Sequence, residues 1–284
     1  MVTPPLSQKV KKFMDVFFAF YVDVFCMYVC VASIYLHKVT HFHIDILSAM
    51  AILVANTLLV IGVYTFNKAT DKKEDTLNER PLQYFSDIKI YVLSGSSFFV
   101  SFLLYLVPAK HEIVWCWFAL SFLGIFYSFP RSFRLKNFFL IKNIVPAFCW
   151  FFSVSVLIYG STTALSLAET MFLLTSLFLL ALIFEIIWDL PDYEGDKASG
   201  VHTLPVSIGF LYTKVVLVTL VGSLFFGSYS LTNKLASLTL LLFIVWVSKD
   251  TKKYVYHVFL LLFVCIVTSY YFIDYYLSGG RAVF

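Results

Sequence analysis

Apolar runs of about 20 residues, separated by short polar breaks, recur along this chain from beginning to end. That length is what an α-helix needs to cross the roughly 30 Å hydrocarbon core of a bilayer. The pattern predicts spans at 13–36, 44–66, 88–108, 112–129, 138–159, 164–188, 206–228, 231–247 and 254–277. Little chain is left for anything else. The expectation is a single domain over residues 1–284, all-α and polytopic, a bundle of about nine transmembrane helices in a lipid bilayer. The first run has the basic start of a signal peptide. Its length and the lack of a small-residue cleavage site mark it as a retained helix.

Composition agrees, with 60% hydrophobic residues, 13% charged and a mean hydropathy of +0.85, far from a soluble domain. The net charge of +4 does not point to nucleic acid, because the basic residues are spread among helix ends and form no groove. They instead set orientation. With the N-terminus in the cytoplasm, only Lys38, Lys110, Lys234 and Arg281 of the 21 Lys and Arg residues fall on the far side. This bias favours an odd number of spans, cytoplasmic active-site loops and a C-terminus on the opposite side. The five cysteines, Cys26, Cys30, Cys116, Cys149 and Cys265, all lie inside apolar runs and read as packing residues.

Against this background the acidic residues stand out. Eight of the seventeen Asp and Glu residues fall within 71–79 and 189–196, at the ends of the second and sixth runs, both on the cytoplasmic side. Carboxylates crowded beside a bilayer need a counter-charge, and a divalent cation supplies one. Asn67, Asp71 and Asp75 are spaced at i, i+4 and i+8, which on a helix continuing out of the second span stacks three oxygen-bearing side chains on one face. Asp192 and Asp196 repeat the four-residue step, and Asp189 adds a third carboxylate. Mg²⁺ is typically held by one or two carboxylates plus phosphate oxygens, so two such patches can bridge metal to a diphosphate. The competing reading is a pair of solvated acidic loops.

A basic segment, Tyr127-Ser128-Phe129-Pro130-Arg131-Ser132-Phe133-Arg134-Leu135-Lys136, follows the fourth run. Arg131, Arg134 and Lys136 can clamp phosphate oxygens, with Tyr127 and Ser128 donating hydrogen bonds. Lys72 and Lys197, beside the acidic patches, join the expected diphosphate-binding set. Ionisable residues within apolar runs are functional candidates by default, which brings in Asp15, Asp23 and Glu185, the last one turn before Asp189. His202 is expected in a loop, capping the helix that follows.

These residues carry a resemblance. Asn67-x-x-x-Asp71-x-x-x-Asp75 resembles the first motif of the UbiA superfamily of intramembrane prenyltransferases, and Asp192-x-x-x-Asp196 resembles its second. Tyr127-Ser-x-Pro130, running on to Arg134-Leu-Lys136, is similar to the family's basic motif after the fourth helix. The resemblance implies helices around a central cavity, with Mg²⁺ between the Asp motifs. It implies an isoprenoid diphosphate ionised to an allylic carbocation and captured within the membrane by an apolar or amphipathic acceptor, aromatic or lipid-alcohol. Asp71, Asp75, Asp192 and Asp196 would bind metal and act in catalysis, with Asn67 and Asp189 assisting. After Asp75 the chain departs from the family pattern: Arg80-Pro81 is followed by Leu82-Gln-Tyr-Phe85, which leaves acceptor choice open. Two other activities share these features. A terpene cyclase of the same superfamily needs no acceptor, and a transporter of a divalent cation or organic anion would line its pathway with the acids.

Overall fold

A computed structural model describes residues 22–38, 43–72, 76, 87–129, 134–227 and 231–277. Its long helices are α1 (Val22–Lys38), α2 (Ile46–Thr70), α3 (Asp87–Tyr105), α4 (Ile113–Tyr127) and α5 (Ile141–Ser161). The chain continues through α6 (Leu167–Leu173), α7 (Thr175–Asp189), α8 (Tyr193–Ser199), α9 (Leu204–Ile208), α10 (Phe210–Gly227), α11 (Leu231–Trp246) and α12 (Lys253–Leu277). In hydrocarbon every backbone amide must be satisfied within its own segment, so apolar runs of this length become helices.

Each expected span holds a helix, but their reach is unequal. Among the described residues five helices are long and apolar enough to cross a bilayer, or six if the bent pair α6–α7 is one span. Shorter apolar stretches occupy Cys26–His37, Ile113–Tyr127 and Asn233–Trp246. The expected straight span at 164–188 is instead broken by 59° at Leu174. Local hydrogen bonding explains the break. At the break the Thr175 hydroxyl donates back to the Phe172 carbonyl at 2.8 Å and the Met171 carbonyl at 3.4 Å, while a reciprocal Ser166–Glu169 capping box fixes the start of α6.

Neighbours in sequence pack in order from α1 to α5, and α7, α10, α11 and α12 continue the series until α12 returns to α1. Helix α5 is the interior member, touching α1, α2, α4, α6 and α7, with 61% of its apolar window buried against 28% in α3, α10 and α12. Two apolar clusters flank the interior. One joins α7 and α9 to α12, with Phe184, Leu240 and Phe263; the other joins α1, α2, α4, α5 and α7, with Ile52, Leu157 and Ile158.

Lipid tails are as apolar as leucine, so helices associate through close packing and hydrogen bonds. The α2–α3 seam shows both. Ser94, Ser97 and Ser101 recur along one face of α3, and two of them cross the seam: Ser94 Oγ donates to the Gly62 carbonyl and Ser101 Oγ to the Ala55 carbonyl, both at 2.8 Å. Trp117 Nε1 adds a donor to Ser101 Oγ at 3.0 Å. Gly124 of α4 packs on α2 where a Cβ would collide with Val63, and Gly160 of α5 does so where one would strike Ile52. At the far end of α5, Lys110 Nζ takes the Tyr159 carbonyl at 2.8 Å, and the Tyr159 hydroxyl donates to Glu112, holding that carboxyl below its usual range.

Deeper in the bundle Asn56 ties three helices together. Its Nδ2 donates to the Ser153 carbonyl of α5 at 2.9 Å, and its Oδ1 accepts from the Tyr105 hydroxyl of α3 at 2.5 Å. All three residues are buried. Replacing Asn56 with Ala removes both bonds and strands the Tyr105 hydroxyl. Asn56→Ala is expected to lose about 1–2 kcal/mol of stability in a detergent unfolding titration, with Tyr105→Phe losing less. Equal stability of Asn56→Ala and wild type would contradict this role.

Candidate functional site

The interior encloses a cavity of about 240 Å³, walled by α2, α4, α5, α7, α8 and the start of α12. Its polarity is divided lengthwise. Leu59, Val60, Val63, Leu120, Leu123 and Val145 line one part, and Asn67, Lys68, Asp71, Lys136, Lys142, Asp189, Asp192, Asp196 and Lys253 line the other. From Asn56 at the apolar floor to Asp71 at the mouth, the rise of α2 corresponds to about 22 Å.

The two acidic patches, 121 residues apart in the sequence, meet at this mouth. Helix α2 stops at Thr70 and Asp71 is its C-cap, with φ −104° and ψ 14°, although its amide still bonds the Asn67 carbonyl at 2.8 Å. The continuous helix expected through Asp75 is therefore interrupted at Asp71, where Thr70, Arg134 and Lys136 all direct donors or charge onto one carboxylate. Asp75 and Arg131 lie outside the described residues, as do Asp15 and the side chain of Asp23. In the second patch Asp189 ends α7, Pro191 breaks the chain, and Asp192 caps α8, in which Asp196 sits one turn on. Gly200, at φ +75°, lets the Val201 amide bond back to the Asp196 carbonyl at 2.9 Å.

The four described aspartates of the two patches are buried, and each meets a cation. Asp71 pairs with Arg134 and, at 2.6 Å, with Lys136; Asp192 pairs with Lys253. Lys142 Nζ bridges Asp189 at 2.9 Å and Asp196 at 2.8 Å, and Asn143 Nδ2 donates to the second Asp189 oxygen at 2.7 Å. Lys136 is turned inward by a 3-10 turn over Leu135–Asn137, after which Leu140 adopts φ +65°, a strained value for a branched side chain. The strain sits between Lys136 and Lys142, two of the three lysines that face the aspartates.

Other expected ligands find different partners. The Tyr127 hydroxyl lines the cavity but donates to the Lys142 carbonyl at 3.1 Å. Pro146, four residues on, has no N–H for that carbonyl, so Tyr127 repairs the ladder and its proton is not offered to phosphate. Ser128 is buried away from the cavity walls. Lys72 points outward to Asp87 at 2.5 Å, both half-exposed, and Lys197 lies exposed near the Tyr193 ring. Thr203, not His202, caps α9.

Several wall residues were not expected. Lys142 and Lys253 are the cations of the second patch. An ionisable residue inside the apolar run 138–159 was the available signal for Lys142, whereas Lys253 had none beyond a helix-end charge. Glu185, a candidate from the sequence, lies one turn below Asp189, accepts from Trp150 Nε1 at 3.2 Å, and faces both the cavity and a small apolar side chamber with Tyr28, Phe184 and Phe263. Trp188 stacks obliquely on His257, their rings 4.8 Å apart.

The donor set suits Mg²⁺. Hard carboxylate oxygens converge with the buried Asn67 Oδ1, which accepts no hydrogen bond among the described residues. No three Asp, Glu, His or Cys side chains there converge tightly enough to hold an ion alone. A small, well-hydrated cation that draws remaining ligands from phosphate fits such a site.

The model of the UbiA prenyltransferase family matches residues 26–279. A curated relative, the digeranylgeranylglyceryl phosphate synthase of Sulfolobus acidocaldarius, is 28% identical over 175 residues, 61% of this chain. The chain spans 62% of that relative's length. Among solved structures, a UbiA homolog from Archaeoglobus fulgidus bound to GPP and Mg²⁺ superposes with a TM-score of 0.63 at 14% identity, covering 92% of this chain and 99% of its own. An apo UbiA homolog from Aeropyrum pernix K1 gives 0.64 at 16% identity, covering 90% and 98%.

The repair of the α5 ladder is open to test. Tyr127→Phe is expected to cost about 0.5–1.5 kcal/mol in a detergent unfolding titration. Adding Pro146→Ala, which restores an amide to the Lys142 carbonyl, should recover most of that loss. Simple addition of the two single effects would refute the pairing.

Proposed function

The chain belongs to the UbiA prenyltransferase family, and on that premise we propose that it transfers a prenyl group from an isoprenoid diphosphate to a hydroxyl-bearing, amphipathic lipid alcohol within the membrane. The observation that carries this reading is the lengthwise division of one cavity into a charged mouth and an apolar interior. That division matches a substrate with a polyanionic head and a hydrocarbon tail. The glyceryl phosphate in the name of the Sulfolobus relative favours an alcohol acceptor over an aromatic one. The distribution of Lys and Arg supports a cytoplasmic mouth.

In this reading Asp71, Asp192, Asp196 and the Asn67 carbonyl hold Mg²⁺, with Asp75 extending the first motif and Asp189 supporting the second. The metal, when bound, draws negative charge from the departing diphosphate. Arg134, Lys136, Lys142 and Lys253 surround the same space and direct positive charge to the phosphate oxygens. The apolar walls take the hydrocarbon chain and keep water from the reacting carbon. Tyr64, Trp150 and Trp188 line the cavity and offer aromatic faces that stabilise an allylic cation. Glu185 reaches furthest into the apolar half of the described carboxylates, and we assign it the proton lost by the acceptor hydroxyl.

Purified protein in detergent, given a labelled prenyl diphosphate, Mg²⁺ and either glyceryl phosphate lipids or aromatic acceptors, should prenylate the glyceryl phosphate. EDTA should abolish turnover, and Asp71→Asn or Asp192→Asn should lower kcat by about 10²–10³-fold. Turnover surviving in Asp192→Asn would overturn the site. A hydrocarbon product formed without acceptor would replace transfer by cyclisation, and flux of Mg²⁺ without turnover would replace both by transport.

A further inference from the structure

Lys142 holds an unusual position in the mouth. Its ammonium bridges Asp189 and Asp196, carboxylates belonging to two different helices, and its side chain is only 15% exposed. Its backbone is fixed independently of that contact, because Tyr127 takes its carbonyl and Asn143 anchors the neighbouring position to Asp189. Its four-carbon stem still leaves the charged head free to swing between partners.

In the mouth each of the four aspartates is also already paired with a cation. Asp71, Asp189, Asp192 and Asp196 face Arg134, Lys136, Lys142 and Lys253. A divalent cation entering alone meets acids already neutralised, and a diphosphate entering alone meets lysines already occupied. Together, each releases partners for the other.

We infer that Lys142 is an internal counter-ion: it occupies the second acidic patch when metal is absent and turns to the diphosphate when metal takes its place. This makes metal and diphosphate binding mutually dependent, and it rests on the diphosphate reading above. Lys142 is thus a positioning residue whose loss has opposite effects on the two ligands. Thermodynamic coupling between bound groups is commonly about 5–150-fold.

The test uses the full chain in detergent and two titrations, Mn²⁺ alone followed by electron paramagnetic resonance and inorganic pyrophosphate in saturating Mg²⁺ followed by calorimetry. Lys142→Met should bind Mn²⁺ about tenfold tighter than wild type and pyrophosphate about tenfold weaker. Lys142→Arg, which keeps the charge, should retain wild-type affinity for both. If Lys142→Met does not elute as a folded species, Lys253→Met carries the same two expectations through Asp192. Mn²⁺ affinity unchanged or reduced in the folded methionine variant overturns the counter-ion role. Wild-type protein that binds neither probe, alone or together, overturns the diphosphate reading itself.

Discussion

Four carboxylates withdrawn from water in a chain built for hydrocarbon are the constraint on which this structure turns. An isolated ion in such a setting costs several kcal/mol, and removing one partner of a buried pair is more damaging than never having formed it. The fold answers by bringing cations from three separate places: the turn after α4, the first turn of α5 and the first residue of α12. Those helices must therefore end at the same depth. The strained backbone at Leu140 and the hydroxyl of Tyr127 fix where α5 begins.

The sequence made some of this legible and hid the rest. Apolar run length located the long helices, because hydrocarbon leaves the backbone no alternative to a helix, but not the short polar helix α8. Four-residue spacing marked the acids, since Asn67, Asp71, Asp192 and Asp196 are related by local helical bonds. The pairings were hidden, because Lys142 meets Asp196 across 54 residues and Lys253 meets Asp192 across 61. Proximity in sequence also misled. Lys72 and Lys197 adjoin the acids along the chain yet point elsewhere, and Tyr127 serves a carbonyl that Pro146 leaves open.

The bend at Leu174 was hidden for a different reason. Periodicity records which residues are apolar and not where the axis turns. The Thr175 hydroxyl, turned back onto the Met171 and Phe172 carbonyls, is the local sign of the turn. Its effect is to let α7 arrive at the interior at an angle set independently of α6, so that Glu185 and Asp189 face the cavity that α5 lines from the other side.

Helix α5 carries Lys142 at the mouth, Pro146 and Trp150 along the wall and Ser153 beside the floor, and its other faces are held by α1, α2, α4, α6 and α7. On the proposed reading it is a measuring rod laid between two ends of one substrate. The distance from charged head to hydrocarbon limit is written into a single rigid piece. Selection for a longer or shorter tail through this helix would also move the grip on the head group, so tail length and head-group fit are inherited here as one trait.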